Sequence, residues 1–136
     1  MKKLVEFLHE CAPVALRLMG GAIFTMHGYQ KVFGGGMGKF SGMIDGIGLP
    51  PYFVYVGAYV ELIGGLMVII GLFVRLTSFL LAGQMAVAIV KFHILYQKQG
   101  LIGGFELPLA MLAVMSALFC LGSGPFSLDR KWFGWR

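Results

Sequence analysis

The chain has 136 residues, of which 58% are hydrophobic and 12% charged, with a formal net charge of +5. So little charge cannot clothe a soluble domain of this length, which leaves one integral membrane domain as the class to expect. The positive balance is not a nucleic-acid footprint, because the basic residues stand at span ends and in loops rather than in a stripe interleaved with aromatics.

The opening Met-Lys-Lys could begin a secretion signal, but Glu6, Glu10 and Arg17 interrupt the apolar run and no small-residue cleavage pattern follows. A retained first span is therefore expected over residues 13–33. Pro13 suits its first turn, where a missing N–H costs little. It is the least apolar of the spans, with Arg17 near its start and HGYQK near its end, and FGGGMG ends it. In residues 39–48, Phe40, Met43, Ile44 and Ile47 recur at the spacing of one helical face, which predicts a short helix lying in the membrane interface.

Pro50 and Pro51 open a second span over residues 51–73, whose one charge is Glu61. Gly57, Gly64, Gly65 and Gly71 give it small-residue faces for close helix packing. The turn at Arg75 is short, so the second and third spans must be antiparallel neighbours. The third span, residues 76–96, carries Gln84 near its middle and Lys91 and His93 near its far end. The fourth, residues 105–121, has Glu106 and Pro108 in its first turn and is stopped by Gly122, Gly124 and Pro125. Trp132 and Trp135 beside basic residues suit an interfacial anchor. The fold class is thus all-α integral membrane: four transmembrane helices in a bundle, with a short interfacial helix between the first two.

With this topology, Lys2, Lys3, Arg75, Arg130, Lys131 and Arg136 fall on one side, and Lys39 and Lys98 on the other, with Lys31 and Lys91 near them. The positive-inside bias predicts that both termini are cytoplasmic. His27, Lys31, Glu61, His93 and Glu106 then share the outer half of the bundle, at a depth where ionisable groups usually pair, line a wet cavity or do chemistry. His27 and Lys31, four apart, share a face. Arg17 lies deeper, towards the inner leaflet. Lys91 and His93 point to nearly opposite sides, and His93 is expected to face inward while Lys91 snorkels out.

The same residues also fit structural roles: Lys31 with Glu61 as a buried ion pair, and Glu106 as a carboxylate in the first turn of the fourth span. Two His and two Glu are possible zinc or iron ligands, but no HxxxH or ExxH spacing supports a metal, and none is expected. His27 and His93 at similar depth leave a haem open without requiring it. Cys11 and Cys120 lack CxxC spacing and are expected to be reduced and packed. Each half has an outgoing helix with a His near its outer end, then an incoming helix with a Glu, a weak parallel repeat.

The blocks RLMGGAIFTMHGYQKVFGG (17–35), GLP (48–50), VELIGGLMVIIGLFVR (60–75), His93 and FELPLAML (105–112), in this order, resemble the DoxX family over nearly the whole chain. The resemblance implies a four-helix protein of the bacterial inner membrane. That family is named after a subunit linked to a thiosulfate:quinone oxidoreductase; other members are described as oxidoreductases or as membrane partners of redox-stress enzymes. Its recurring polar positions match Arg17, His27, Lys31, Glu61, His93 and Glu106.

The function to expect is a membrane redox component whose outer polar site binds a quinone or a small oxyanion. Lys31 and Arg17 would supply positive charge, with His93 also on the ligand. Glu61 and Glu106 would relay protons, and His27 would donate to a quinone carbonyl or shuttle a proton. No electron carrier is recognisable in the chain, so a bound cofactor or a redox partner protein is implied. The glycine faces permit a homo-oligomer. The alternative is a non-enzymatic scaffold, or a small transporter or binding subunit.

Overall fold

The computed structural model describes residues 1–135; Arg136, counted above among the basic residues, lies outside the described residues. Six α-helices follow in chain order: α1 (Lys2–Val32), α2 (Met37–Gly46), α3 (Phe53–Ile70), α4 (Val74–Val87), α5 (Glu106–Leu121) and α6 (Leu128–Phe133). Wider π-helical turns extend α4 over Ala88–Tyr96 and precede α5 over Leu101–Phe105. Lys2–Val32, Phe53–Ile70, Val74–Tyr96 and Leu101–Leu121 are long and apolar enough to cross a bilayer, as expected for an all-α, multi-pass membrane protein.

The first helix begins earlier than residue 13. Residues 2–12 explain why: at 100° per residue, Leu4, Val5, Phe7, Leu8, Cys11 and Ala12 share one face and Lys2, Lys3, Glu6, His9 and Glu10 the other. This amphipathic stretch continues straight into the span, so Pro13 lies inside α1 rather than in its first turn. Its ring is buried against Gly124, where an added Cβ would stand 2.8 Å from the Pro13 Cβ.

The bundle is built from two close helix pairs, α1 with α3 and α4 with α5, which meet along looser seams. Glycine sets the first pair. A Cβ on Gly28 would collide with the Leu62 backbone, and one on Gly65 would sit 2.5 Å from the Thr25 amide nitrogen. Small residues let these backbones touch, the main source of helix association where lipid is as apolar as the side chains. Phe24, Val68, Val74, Leu81, Met111, Met115 and Leu118 fill the middle between the pairs. A second cluster, Phe40 and Ile44 with Val54 and Ala58, holds α2 across the end of α3, so the predicted face of α2 is the face it buries.

The other end is closed by polar groups. Arg17, 2% exposed, donates from Nε to Val68 O (3.0 Å), from Nη1 to Ser123 O (2.8 Å) and Pro125 O (3.3 Å), and from Nη2 to Ile69 O (2.8 Å) and Phe126 O (3.3 Å). One guanidinium thus binds two carbonyls in the last turn of α3, where intrahelical donors run out, and three more in the loop after α5. Asp129 completes the closure by accepting from Phe73 N (2.6 Å) and Val74 N (2.9 Å) at the start of α4. Cys11 is half-buried, whereas Cys120 faces outward from α5 rather than into the packing.

Candidate functional site

A cavity of about 490 Å³ lies between the two helix pairs at the α2 end, within the size range of small-molecule sites. Its wall is mostly hydrocarbon, including the rings of Phe24, Phe40, Phe53 and Phe92, and Phe40, Met43 and Ile44 of α2 roof it together with Ile47 just after that helix. The polar groups on the wall are few: His27 and Lys31 from α1, Glu61 from α3, Gln84 from α4 and Lys91 from the π-helical extension.

Three of these form one unit. Lys31 Nζ donates to Glu61 Oε1 at 2.7 Å, and Gln84 Nε2 donates to the same oxygen at 2.7 Å. Gln84 Nε2 also reaches Gly57 O at 3.3 Å, which fixes the amide across the α3/α4 seam. Lys31 Nζ stands 4.0 Å from the Phe40 ring centroid, a cation–π contact that ties α2 to the ion pair. Periodicity explains the convergence on α1: Gly20, Phe24, His27 and Lys31 lie on one stripe, and Gly20 packs against Met115 of α5.

Glu61 is 2% exposed, and its second oxygen, Oε2, is buried with no hydrogen-bond partner among the described residues. A buried acceptor left unmade costs on the order of 1–3 kcal/mol, and more when charged. Oε1 carries two donors and Oε2 none, so the carboxylate of this wall residue is polarised towards one side and keeps a free acceptor. That asymmetry is the most chemically informative feature of the site.

The expected outer cluster is only partly assembled. Lys31 and Glu61 are paired, and His27, exposed on α1, borders the cavity with its Nδ1–H donating to Ile23 O at 2.9 Å, so that Nε2 is the free nitrogen.

Three residues are not on the cavity wall. Arg17 is fourteen positions before Lys31, about 21 Å along the helix axis, and its donors are engaged at the opposite end. His93 turns away: its Nδ1–H donates to Ala88 O at 3.0 Å and its ring meets Phe92 and Phe105 edge-on. Lys91 and Phe92 take the wall instead, because each π-helical residue turns through a smaller angle than an α-helical one, and faces past Ala88 shift. Glu106 is exposed in the first turn of α5, where Leu107, Pro108 and Met111 supply the wall. Ile102 (ψ 123°) and Gly103 (φ 76°) break the helix just before, which restarts its phase.

Gln84 was not placed in the site by sequence reasoning, although a lone amide in the middle of an apolar span carried the signal. Among the described residues, no three His, Cys, Asp or Glu side chains come together to hold a metal.

A model of the family described as DoxX matches residues 12–94. The chain is also 35% identical over 120 residues, covering 88% of its own length and 86% of the relative, to a protein of Bacillus subtilis (strain 168) named "Putative oxidoreductase CatD". No solved structure matches it.

Proposed function

The chain belongs to the DoxX family, and from that premise we propose that it is the membrane-embedded ligand-binding component of an oxidoreductase, with a quinone as the molecule its cavity receives. The observation that carries this reading is Glu61, with Oε2 buried and unpartnered, in the wall of a mostly apolar, phenylalanine-lined cavity between the spanning helices. Aromatic rings suit a flat ring stacked between them. Lys31 supplies positive charge beside the ring's oxygens, Glu61 accepts or returns a proton there, and the free nitrogen of His27 serves the other edge. Gln84 positions the carboxylate. The small oxyanion is the weaker match, because so apolar a wall offers an anion little compensation for lost hydration. Electrons would pass to or from a redox-active partner protein. The bacterial inner membrane, with both termini cytoplasmic, is the setting that the basic residues favour.

Organic extraction of the purified protein, and titration with a decyl-substituted benzoquinone and its reduced form, test this directly. Saturable binding of either form is the expected result, with binding of the reduced form weakened about tenfold or more by Glu61→Gln. Absence of extractable quinone together with no saturable binding of either form ends the proposal.

A further inference from the structure

The cavity reaches the outside of the bundle. Val56 of α3 and Leu80, Gly83 and Val87 of α4 line it and are also exposed on the outer surface, so these residues border both the cavity and the surrounding lipid. At Gly83 an added Cβ would meet nothing within 4 Å. The seam between α3 and α4 is thus open just beside Gln84, whose amide holds Glu61. Glu61 lines the same cavity, and its buried Oε2 is an acceptor with no donor among the described residues, while Oε1 already takes two. An ionised carboxylate accepts and does not donate. A molecule whose polar end is a carbonyl or an ether therefore offers Oε2 nothing, whereas one with a hydroxyl completes it.

We infer that the site selects a membrane-dissolved phenol-class molecule, whose hydroxyl donates to Glu61 Oε2 and whose apolar body enters sideways through the α3/α4 seam at Gly83. This rests on the reading of the cavity as the site of a redox-active ring, and deepens it: of the two oxidation states of such a ring, the hydroxylic one is favoured. The ring lies among Phe24, Phe40 and Phe92, and its substituent passes between Val56 and Leu80. No bond is made or broken on binding; one hydrogen bond to a charged acceptor forms in a mostly apolar site.

The test compares three probes on the full-length protein in lipid nanodiscs: a decyl-substituted hydroquinone, the corresponding quinone and the hydroquinone dimethyl ether. Wild-type protein is expected to bind the hydroquinone about tenfold or more tightly than the ether, and more tightly than the quinone. Glu61→Gln should shrink both differences to within about threefold. Gly83→Phe, which fills open space away from the core, should slow association of the decyl probe severalfold while a Gly100→Phe control, in a loop with open space around it, does not. Equal affinities for hydroquinone and ether in wild-type protein overturn the inference and leave the quinone proposal standing. Unchanged association in Gly83→Phe overturns the lateral entry. Binding of none of the three probes removes both this inference and the proposal beneath it.

Discussion

At the scale of single residues, the ion pair and the guanidinium do opposite kinds of work. Lys31 pairs with a buried carboxylate, so removing one partner should cost far more than removing both. Lys31→Met is expected to lower stability by about 3–5 kcal/mol, read as a fall in melting temperature in detergent. Lys31→Met with Glu61→Leu should recover most of that loss. If the double variant is as unstable as the sum of the singles, the pair is not coupled as described. Arg17 acts by geometry rather than by charge alone. Its planar fork reaches five carbonyls at once, and a lysine ammonium offers three donors from a single point. Arg17→Lys should therefore lower the melting temperature even though the charge is kept, and leave binding at the distant cavity with an unchanged Kd for any variant that remains folded.

At the scale of elements, what could be read from the sequence depended on whether the helical period stayed constant. The spacing of Phe40, Met43, Ile44 and Ile47 identified both α2 and its buried face, and the stripe from Gly20 to Lys31 placed Lys31 inside, because both runs are regular α-helix. His93 was misplaced because it follows a departure from that period, the π-helical turns from Ala88, which have no sequence marker as clear as proline. Glu106 does stand in the first turn of its span, as expected, but depth alone did not fix its direction, and it is exposed there. The start of α1 was missed for a different reason, since Pro13 reads as a first-turn residue unless its packing against Gly124 is known. Gly28 gives the sharpest element-level test. Its Cα touches the backbone of α3, so Gly28→Leu should push α1 from α3 and destabilise the bundle by about 1–3 kcal/mol. Gly83→Leu, of equal chemistry but facing open space, should be close to neutral. A second test concerns α2. Phe40→Ala removes both the cation–π contact and part of the roof, so amide exchange across Met37–Gly46 should speed up while that of α3 stays slow.

At the scale of the whole molecule, the bundle divides its labour between ends. One end is closed by Arg17, Asp129 and the loop that follows α5, with its polar atoms satisfied by the backbone; the other is held apart by α2, with an apolar cavity and one unsatisfied oxygen. The two close pairs coincide with the two halves of the chain, but the halves are not chemically equivalent, because Glu61 is buried in a pair of hydrogen bonds whereas Glu106 lies on the surface. Orientation can be measured on the intact protein in its membrane. After Cys11 and Cys120 are replaced by serine, single cysteines at Lys3 and Lys131 should react with a membrane-impermeant maleimide only once the cytoplasmic face is exposed. Cysteines at Lys39 and Lys98 should react from the opposite face. A mixed pattern would overturn the assigned orientation.

The guanidinium closure also bears on how the protein is made. Of the carbonyls that Arg17 holds, three belong to residues 123–126, which leave the ribosome more than a hundred residues after it does. Until then the guanidinium has only the Val68 and Ile69 carbonyls of α3 to bind, so the closure stays incomplete until the segment beyond the last span is made. A stop codon after Leu121 would leave every spanning helix intact by length, yet the truncated product should turn over faster in pulse–chase labelling than a chain cut after Phe133.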